Sequence, residues 1–189
     1  MRKGSPVRLW TTLVAVVALG AATACSTKDS AGASPSDART ARPKPSVDAE
    51  AIAAAEKAAL AAYAGYLEAS QKAELARDPM HPELTKYLAD PLLTWVRLTI
   101  REAKEHGAMR TGKLISDPTV TSVNLDTVPA TVTIQDCIDA TKYRLVDVKT
   151  NKAVPGSVTG RYLATATASR YPDGRWLINE GAVHQDQPC

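Results

Sequence analysis

Between residues 48 and 107, apolar residues recur every three or four positions. From Asp48 to about Arg77 this spacing and abundant alanine predict a long helix, which Asp78-Pro79 would end. A short helical turn is predicted over 82–89. The apolar positions of the long helix are Ile52, Ala55, Ala59, Leu60, Tyr63, Tyr66 and Leu67.

A further helix is marked at both of its ends. Asp90 is a natural N-cap, Pro91 suits the first helical position, and Gly107 suits the C-terminal stop. The residues predicted to line one face of this helix are Leu92, Trp95, Val96, Thr99, Ile100 and Ala103.

From Gly112 onwards the apolar period changes to two, which is typical of strands. Thr150-Asn151 and Pro172-Asp173-Gly174 have the composition of hairpin turns. Helices followed by meandering strands predict an α+β fold with an antiparallel sheet. The predicted strands are 113–116, 120–125, 130–138, 143–148, 160–170 and 175–183.

The start of the chain has the organisation of a secretory signal. Arg2 and Lys3 are followed by an apolar run and then by small residues up to Cys25. The apolar run is ~16 residues long, whereas a spanning helix needs about 20, so a retained anchor helix is the weaker interpretation.

The segment Ala22-Thr23-Ala24-Cys25 resembles the lipobox of bacterial lipoproteins, with alanine in place of the usual leucine. The resemblance implies a signal peptide over 1–24 and diacylglycerol attached to Cys25. Cleavage near Ala24 by the ordinary signal peptidase, leaving Cys25 as a free thiol, is the alternative. Lipid on Cys25 would hold the protein on the extracytoplasmic face of the cell membrane. Residues 25–47, rich in serine, alanine and proline, predict a disordered tether.

The basic charge of the chain belongs largely to the export signal. The chain has 23 Lys plus Arg and 20 Asp plus Glu. Arg2, Lys3 and Arg8 would leave with the signal, and the remainder would then carry equal numbers of each sign. Nucleic-acid binding needs a clustered cationic face, so we expect no nucleic-acid partner.

Export also bears on the three cysteines. Lipidation would consume Cys25 and leave Cys137 and Cys189 outside the reducing cytosol, where disulfides persist. A bridge closing a loop of roughly 50 residues would contribute up to about 4 kcal/mol. Metal ligation and a reactive thiol are the alternatives, although neither cysteine has a CxxC or Cys/His neighbour.

Three features of residues 48–189 carry a family resemblance. Helices precede a sheet, the strand 130–137 ends in Asp136-Cys137, and Asp173-Gly174-Arg175-Trp176 turns into the last strand. In these features the chain resembles lipid-anchored or secreted NTF2-like (cystatin-like α+β) proteins of high-GC Gram-positive bacteria. The resemblance implies helices packed on a curved antiparallel sheet that forms a cone, and the Cys137–Cys189 bridge.

NTF2-like folds host both enzymes and non-catalytic domains. An enzyme of this type would need ionisable groups inside the cone, and the candidates are Asp136, Asp139, Tyr63, Tyr66 and Tyr143. Asp136 shares a strand face with Val132 and Ile134, so burial of that face would suit it to proton abstraction. We expect instead that the strand ends by Gln135 and that Asp136 lies at an exposed rim.

The sequence favours a non-catalytic binding or accessory module of the cell envelope, which docks an envelope protein or a small ligand. The alternative is a small-molecule enzyme of the isomerase or dehydratase type, with Asp136 or Asp139 as general base. His81, His106 and His184 are scattered without metal-ligand spacing, and phosphate and dinucleotide motifs are missing. We therefore expect no metal and no cofactor.

Overall fold

The computed structural model describes residues 48–157 and 159–189. The predicted signal peptide, the lipidated Cys25 and the tether up to residue 47 lie outside these residues. The described elements are α1 (Ala49–Ala76), α2 (Leu84–Tyr87), α3 (Leu92–Glu105), β1 (Ala108–Gly112), β2 (Pro118–Asn124), β3 (Thr131–Asp139), β4 (Tyr143–Asp147), β5 (Arg161–Arg170) and β6 (Trp176–His184).

The long helix α1 begins and ends where its sequence predicts. The Asp48 carboxylate accepts a hydrogen bond from the Glu50 backbone N–H at 3.1 Å, which caps the first turn. The helix ends at Arg77, which is left-handed with φ 55°, before the Asp78-Pro79 pair. Gly65 has no side chain to meet the ring of Tyr87, where a Cβ would lie 2.3 Å from a ring carbon. This close approach lets α2 pack directly against α1.

The start of α3 differs from the prediction. Pro91 occupies the N-cap position, one residue later than expected. Asp90 still acts on the first turn, because its Oδ1 accepts from the Thr94 N–H at 3.1 Å. The side chain of Trp95, placed by the pattern on the apolar face, is 58% exposed. The buried face of α3 consists of Leu92, Leu93, Val96 and Ile100.

The first strand lies earlier than predicted. The observed strand is β1, at Ala108–Gly112. Residues 113–116, where a strand was predicted, form only an isolated bridge between Ile115 and Asp139. β1 pairs antiparallel with β4, from Ala108 opposite Asp147 to Gly112 opposite Tyr143. The alternation in 113–116 was too short to separate a strand from the connection that follows one.

The strands form two sheets and do not meander in simple order. The larger sheet has the order β2-β3-β5-β6, and the smaller pairs β1 with β4. The sheet is not closed, so the NTF2-like cone stays a prediction. The β5–β6 connection is the hairpin predicted at residues 172–174, as the bond from the Gly174 N–H to the Tyr171 carbonyl shows. The predicted α+β fold, with helices packed against antiparallel sheets, is confirmed.

The core lies between α1, α3 and one face of the four-stranded sheet. Tyr63, Leu84, Leu88, Val132, Ile134 and Ile178 are among its fully buried side chains. The predicted disulfide is confirmed: Cys137 and Cys189 are bonded, with their Cα atoms 5.9 Å apart. The disulfide joins the C-terminal segment to β3, a central strand of the larger sheet.

Candidate functional site

Asp136 is a buried member of β3, which corrects the exposed rim that we expected. The side chain is 1% exposed. β3 does not end at Gln135, because Asp136 is paired with Pro118 of β2 on one side and Ala164 of β5 on the other. The alternation of the strand therefore directs Asp136 to the same face as Val132 and Ile134.

Three donors surround the Asp136 carboxylate. The Tyr63 hydroxyl donates to Oδ2 at 3.0 Å, and the Ser116 hydroxyl donates to the same oxygen at 2.6 Å. The Asp117 backbone N–H donates to Oδ1 at 2.8 Å. The three hydrogen bonds offset the cost of burying this carboxylate and fix its position in the core. Asp136 thus ties α1 and the segment before β2 to the central strand.

The other predicted candidates are distributed around the domain. Burial, followed by the charge of Asp136, raises the pKa of Tyr63, so its hydroxyl stays a donor. Burial raises the pKa of Tyr66 to about 12. Asp139 lies at the end of β3, where bonds from the Thr141 hydroxyl and backbone N–H lower its pKa. The structure therefore brings together Asp136 and Tyr63 but not Asp139.

A cavity of about 320 Å³ lies elsewhere, between the C-terminal ends of α1 and α3 and the strands β1 and β4. Its apolar wall is formed by Ile100, Ala103, Ala108, Leu145 and Val154. The polar residues on its lining are Glu74, Arg77, Thr99, Glu102, His106 and Arg110. The cavity thus combines five apolar with six polar lining residues, and an apolar surface beside convergent polar groups is usual in small-molecule sites.

Glu74 and Arg110 form a loose ion pair on this cavity. Their side chains are 16% and 28% exposed, and Arg110 Nε lies 3.5 Å from Glu74 Oε1. Burial raises the pKa of Glu74 to about 7, and the charge of Arg110 opposes the shift only in part. The guanidinium carbon of Arg110 lies 5.6 Å from the ring centre of Tyr143, within the range of a cation–π contact.

Arg77 is the second arginine on the cavity lining. One of its terminal nitrogens donates to the Lys104 carbonyl at 2.8 Å, which connects the ends of α1 and α3. Its Nε–H is buried and has no hydrogen-bond partner in the described part of the chain. Arg77 also holds a left-handed backbone, where glycine or asparagine is the usual residue. A strained arginine with an unused donor is a candidate functional group.

Sequence reasoning missed Glu74, Arg77 and Arg110. Charged residues near a helix end and on a short strand are usually solvated, and only the folded chain shows that these three line one cavity. One signal was available: the helix stops at Arg77, where the αL conformation favours glycine. Arg110 gave no signal, because its strand was not predicted.

A second cavity, of about 370 Å³, lies between α1, α3 and the β5–β6 pair. Tyr63, Tyr66 and the exposed Trp95 contribute to its lining. Asp136 is among the lining residues of neither this cavity nor the Glu74 cavity. The carboxylate proposed as a base therefore lines neither cavity, although its donor Tyr63 lines the second one.

Within residues 48–157 and 159–189, no group of three or more His, Cys, Asp or Glu side chains could hold a metal ion. Of the three histidines, His106 alone lines the Glu74 cavity. Among the helices of the described part of the chain, none has the length and apolar character required to cross a bilayer.

No protein-family model and no curated protein matches the chain. Among solved structures, the chain is similar to the intermembrane space region of the chloroplast protein ARC6. The two share 17% sequence identity and a TM-score of 0.47, over 71% of this chain and 97% of that one. A likeness at this level carries no inference about the function of the present chain.

Proposed function

We propose that the protein is a membrane-displayed, non-catalytic binding module whose ligand site is the Glu74 cavity. The observation that carries the proposal is the cavity itself, which has a volume of about 320 Å³, an apolar side and the loosely paired Glu74 and Arg110 on its lining. Asp136, by contrast, is engaged by three donors, one on α1 and two on the segment before β2. A binding role therefore accounts for more of the geometry than catalysis by Asp136.

Export and lipidation form part of the same proposal. The lipobox-like Ala22–Cys25 segment supports attachment to the extracytoplasmic face of a membrane, and the Cys137–Cys189 disulfide is consistent with an oxidising compartment. The order of helices before sheet supports kinship with the NTF2-like proteins.

A small-molecule enzyme is the second candidate function. The group that favours it is Glu74, not Asp136 or Asp139. The carboxyl group of Glu74 lies beside a cavity and has a pKa of about 7, so it can exchange protons near neutral pH. Turnover of a bound molecule that is lost in Glu74→Gln, while binding persists, would favour the enzyme over the binding module.

The ligand site is tested by filling the cavity. The full chain, purified in nonionic detergent, is screened with a library of small organic molecules by thermal shift. We expect hits that raise the melting temperature, and we expect Ala103→Met to abolish their effect because Ala103 lines the cavity. Lys104→Met, at the next and exposed position of α3, is the matched control. Hits that shift both variants equally would contradict the site.

The anchor is tested separately in a bacterial host that processes lipoproteins. We expect labelled palmitate on the wild-type chain and its recovery with membranes, and both should be lost in Cys25→Ser. Unchanged labelling and membrane retention in Cys25→Ser would overturn the anchor without affecting the ligand site.

A further inference from the structure

The ligand's chemical class follows from the same cavity, and this step rests on the proposed function. We infer that the cavity binds a small organic acid whose carboxylate lies against Arg77 and Arg110 and whose apolar part faces Ile100, Leu145 and Val154. The chain thereby acts as a receptor for monocarboxylates of modest size.

Arg77 supplies the first reason. The residue lines the cavity, and among the described residues its buried Nε–H has no hydrogen-bond partner. The other end of the guanidinium is fixed by its bond to the Lys104 carbonyl at 2.8 Å. A guanidinium that is held in place on the cavity lining can donate to a bound acceptor, and a carboxylate offers the strongest one.

Arg110 supplies the second reason. Its distance of 3.5 Å from Glu74 exceeds the usual 2.7–3.2 Å of an N–H to O hydrogen bond, so the pair is not fully formed. The contact with the Tyr143 ring holds the guanidinium from one side without using its N–H groups. A planar guanidinium with free donors matches the two oxygens of a carboxylate.

The charge of the lining favours an anion over a cation. The lining has two permanently charged guanidinium groups and two carboxyl groups, Glu74 and Glu102, and of these Glu74 carries a proton for much of the time near neutral pH. The charged and titratable groups around Glu74 are Arg77 and Tyr66 on α1, Arg110 on β1, Tyr162 on β5, and Glu102 and His106 on α3. Ionisation of Glu74 adds a negative charge beside the anion, so affinity should fall as pH rises through about 7.

The size of the cavity limits the rest of the ligand. Its volume of about 320 Å³ is at the lower end of the range of small-molecule sites, roughly 300–1,000 Å³. The aliphatic part of the lining includes Ile100, Leu145 and Val154, and Leu145 is the cross-strand neighbour of Arg110. A compact aliphatic or aromatic acid meets both requirements, and a sugar polymer or a peptide does not.

The test compares isosteric probes on the full chain in nonionic detergent. Benzoate and hexanoate are titrated by calorimetry beside benzamide, hexanamide and hexylamine. We expect the carboxylates to bind at least about tenfold more tightly than the amides, and we expect no binding of the amine. Affinity for benzoate should be higher at pH 6 than at pH 8.5, and Glu74→Gln should remove most of that difference.

Variants locate the carboxylate. Arg77→Gln and Arg110→Gln should each weaken benzoate binding by about tenfold or more, because each removes a charged hydrogen bond. Arg101→Gln, at an exposed position of α3, is the matched control and should bind like the wild type. Arg77→Gln could also weaken the contact between two helices, because Arg77 joins them. Arg110→Lys therefore provides a second variant, which keeps the charge but loses the planar guanidinium group.

The outcomes separate the two proposals. Equal binding of acids and amides, lost in Ala103→Met, would overturn the organic-acid class and leave the cavity as a ligand site. Preferential binding of hexylamine would also overturn the class. Binding of carboxylates that Ala103→Met and both arginine variants leave unchanged would overturn the cavity as the site, and with it both proposals.

Discussion

The domain contains two acidic side chains that are largely withdrawn from water, Asp136 and Glu74, and they are satisfied to very different degrees. Asp136 accepts hydrogen bonds from Tyr63, Ser116 and the Asp117 backbone, and it lines neither of the two cavities described. Glu74 faces a cavity and has a single loosely placed arginine beside it.

The difference teaches that burial alone does not identify a functional carboxylate. A buried acid whose oxygens are all engaged belongs to the framework of the fold, because any new partner must first break those bonds. A buried acid with spare capacity and adjacent space can bind or exchange a proton. By this criterion Asp136 is structural and Glu74 is the group open to a ligand.

Removal of Asp136 should have the largest effect on stability. Asp136→Ala leaves two hydroxyl groups and one backbone N–H without their acceptor, and we expect a loss of about 3–5 kcal/mol in the free energy of unfolding. Urea denaturation followed by Trp fluorescence measures it. Asp139→Ala is the control, since that carboxylate serves an exposed turn with Thr141. A midpoint for Asp136→Ala equal to that of the control would contradict the structural role.

The ionisation of Glu74 should have the next largest effect. The folded chain keeps the Glu74 proton up to about pH 7, whereas the unfolded chain loses it near 4.5. The folded state binds more protons between these values, so this group's contribution to stability falls as pH rises through the window, by at most about 3 kcal/mol.

The measurement is urea denaturation of wild type and Glu74→Gln at several pH values between 4 and 8. We expect the stability of the variant, relative to wild type, to increase with pH across this range. Glu105→Gln, at an exposed position on α3, should follow the wild type at every pH. A constant difference between wild type and Glu74→Gln would argue that Glu74 ionises at its ordinary pKa.

The smallest effect is expected for the hydroxyl of Tyr63. Tyr63→Phe removes one of the three donors to Asp136 and should lower the free energy of unfolding by about 1–2 kcal/mol. Tyr66→Phe is the matched variant, because its ring lies 5.8 Å from that of Tyr63. Thermal denaturation of both should show the larger loss for Tyr63→Phe. The reverse order would mean that the Asp136 carboxylate is held by Ser116 and Asp117 alone.

Much of the fold could be predicted because local signals agreed with one another. Alanine content, the Asp48 cap and the Asp78-Pro79 stop located α1 to within a residue or two. The alternation of 130–138 likewise located β3. Pairing order was not predictable in the same way: β4 follows β3 in the chain but pairs with β1. Pairing depends on contacts between distant segments, which local alternation does not encode.

The candidate site was less predictable than the fold. Asp136 was identified as a residue of interest, but the donors that satisfy it in the core, Tyr63 and Ser116, lie 73 and 20 residues away in the chain. Glu74 and Arg110 come from a helix and an unpredicted strand, so their meeting is a property of tertiary structure alone. Only Arg77 had a signal in the sequence, because it stands at the predicted end of a helix, where glycine is the usual residue.

The paired strands β1 and β4 contribute one wall of the cavity, and we expect this short ladder to open more readily than the larger sheet. This ladder is separate from the four-stranded sheet and is joined to it through the bridge between Ile115 and Asp139. We expect amide hydrogens in so short a ladder to exchange with solvent through local openings, and those at the centre of β3 to exchange when the whole domain unfolds. A molecule seated against the wall closes those openings in proportion to its occupancy. Deuterium uptake along β1 and β4 would therefore report occupancy of the chamber without a label on the ligand.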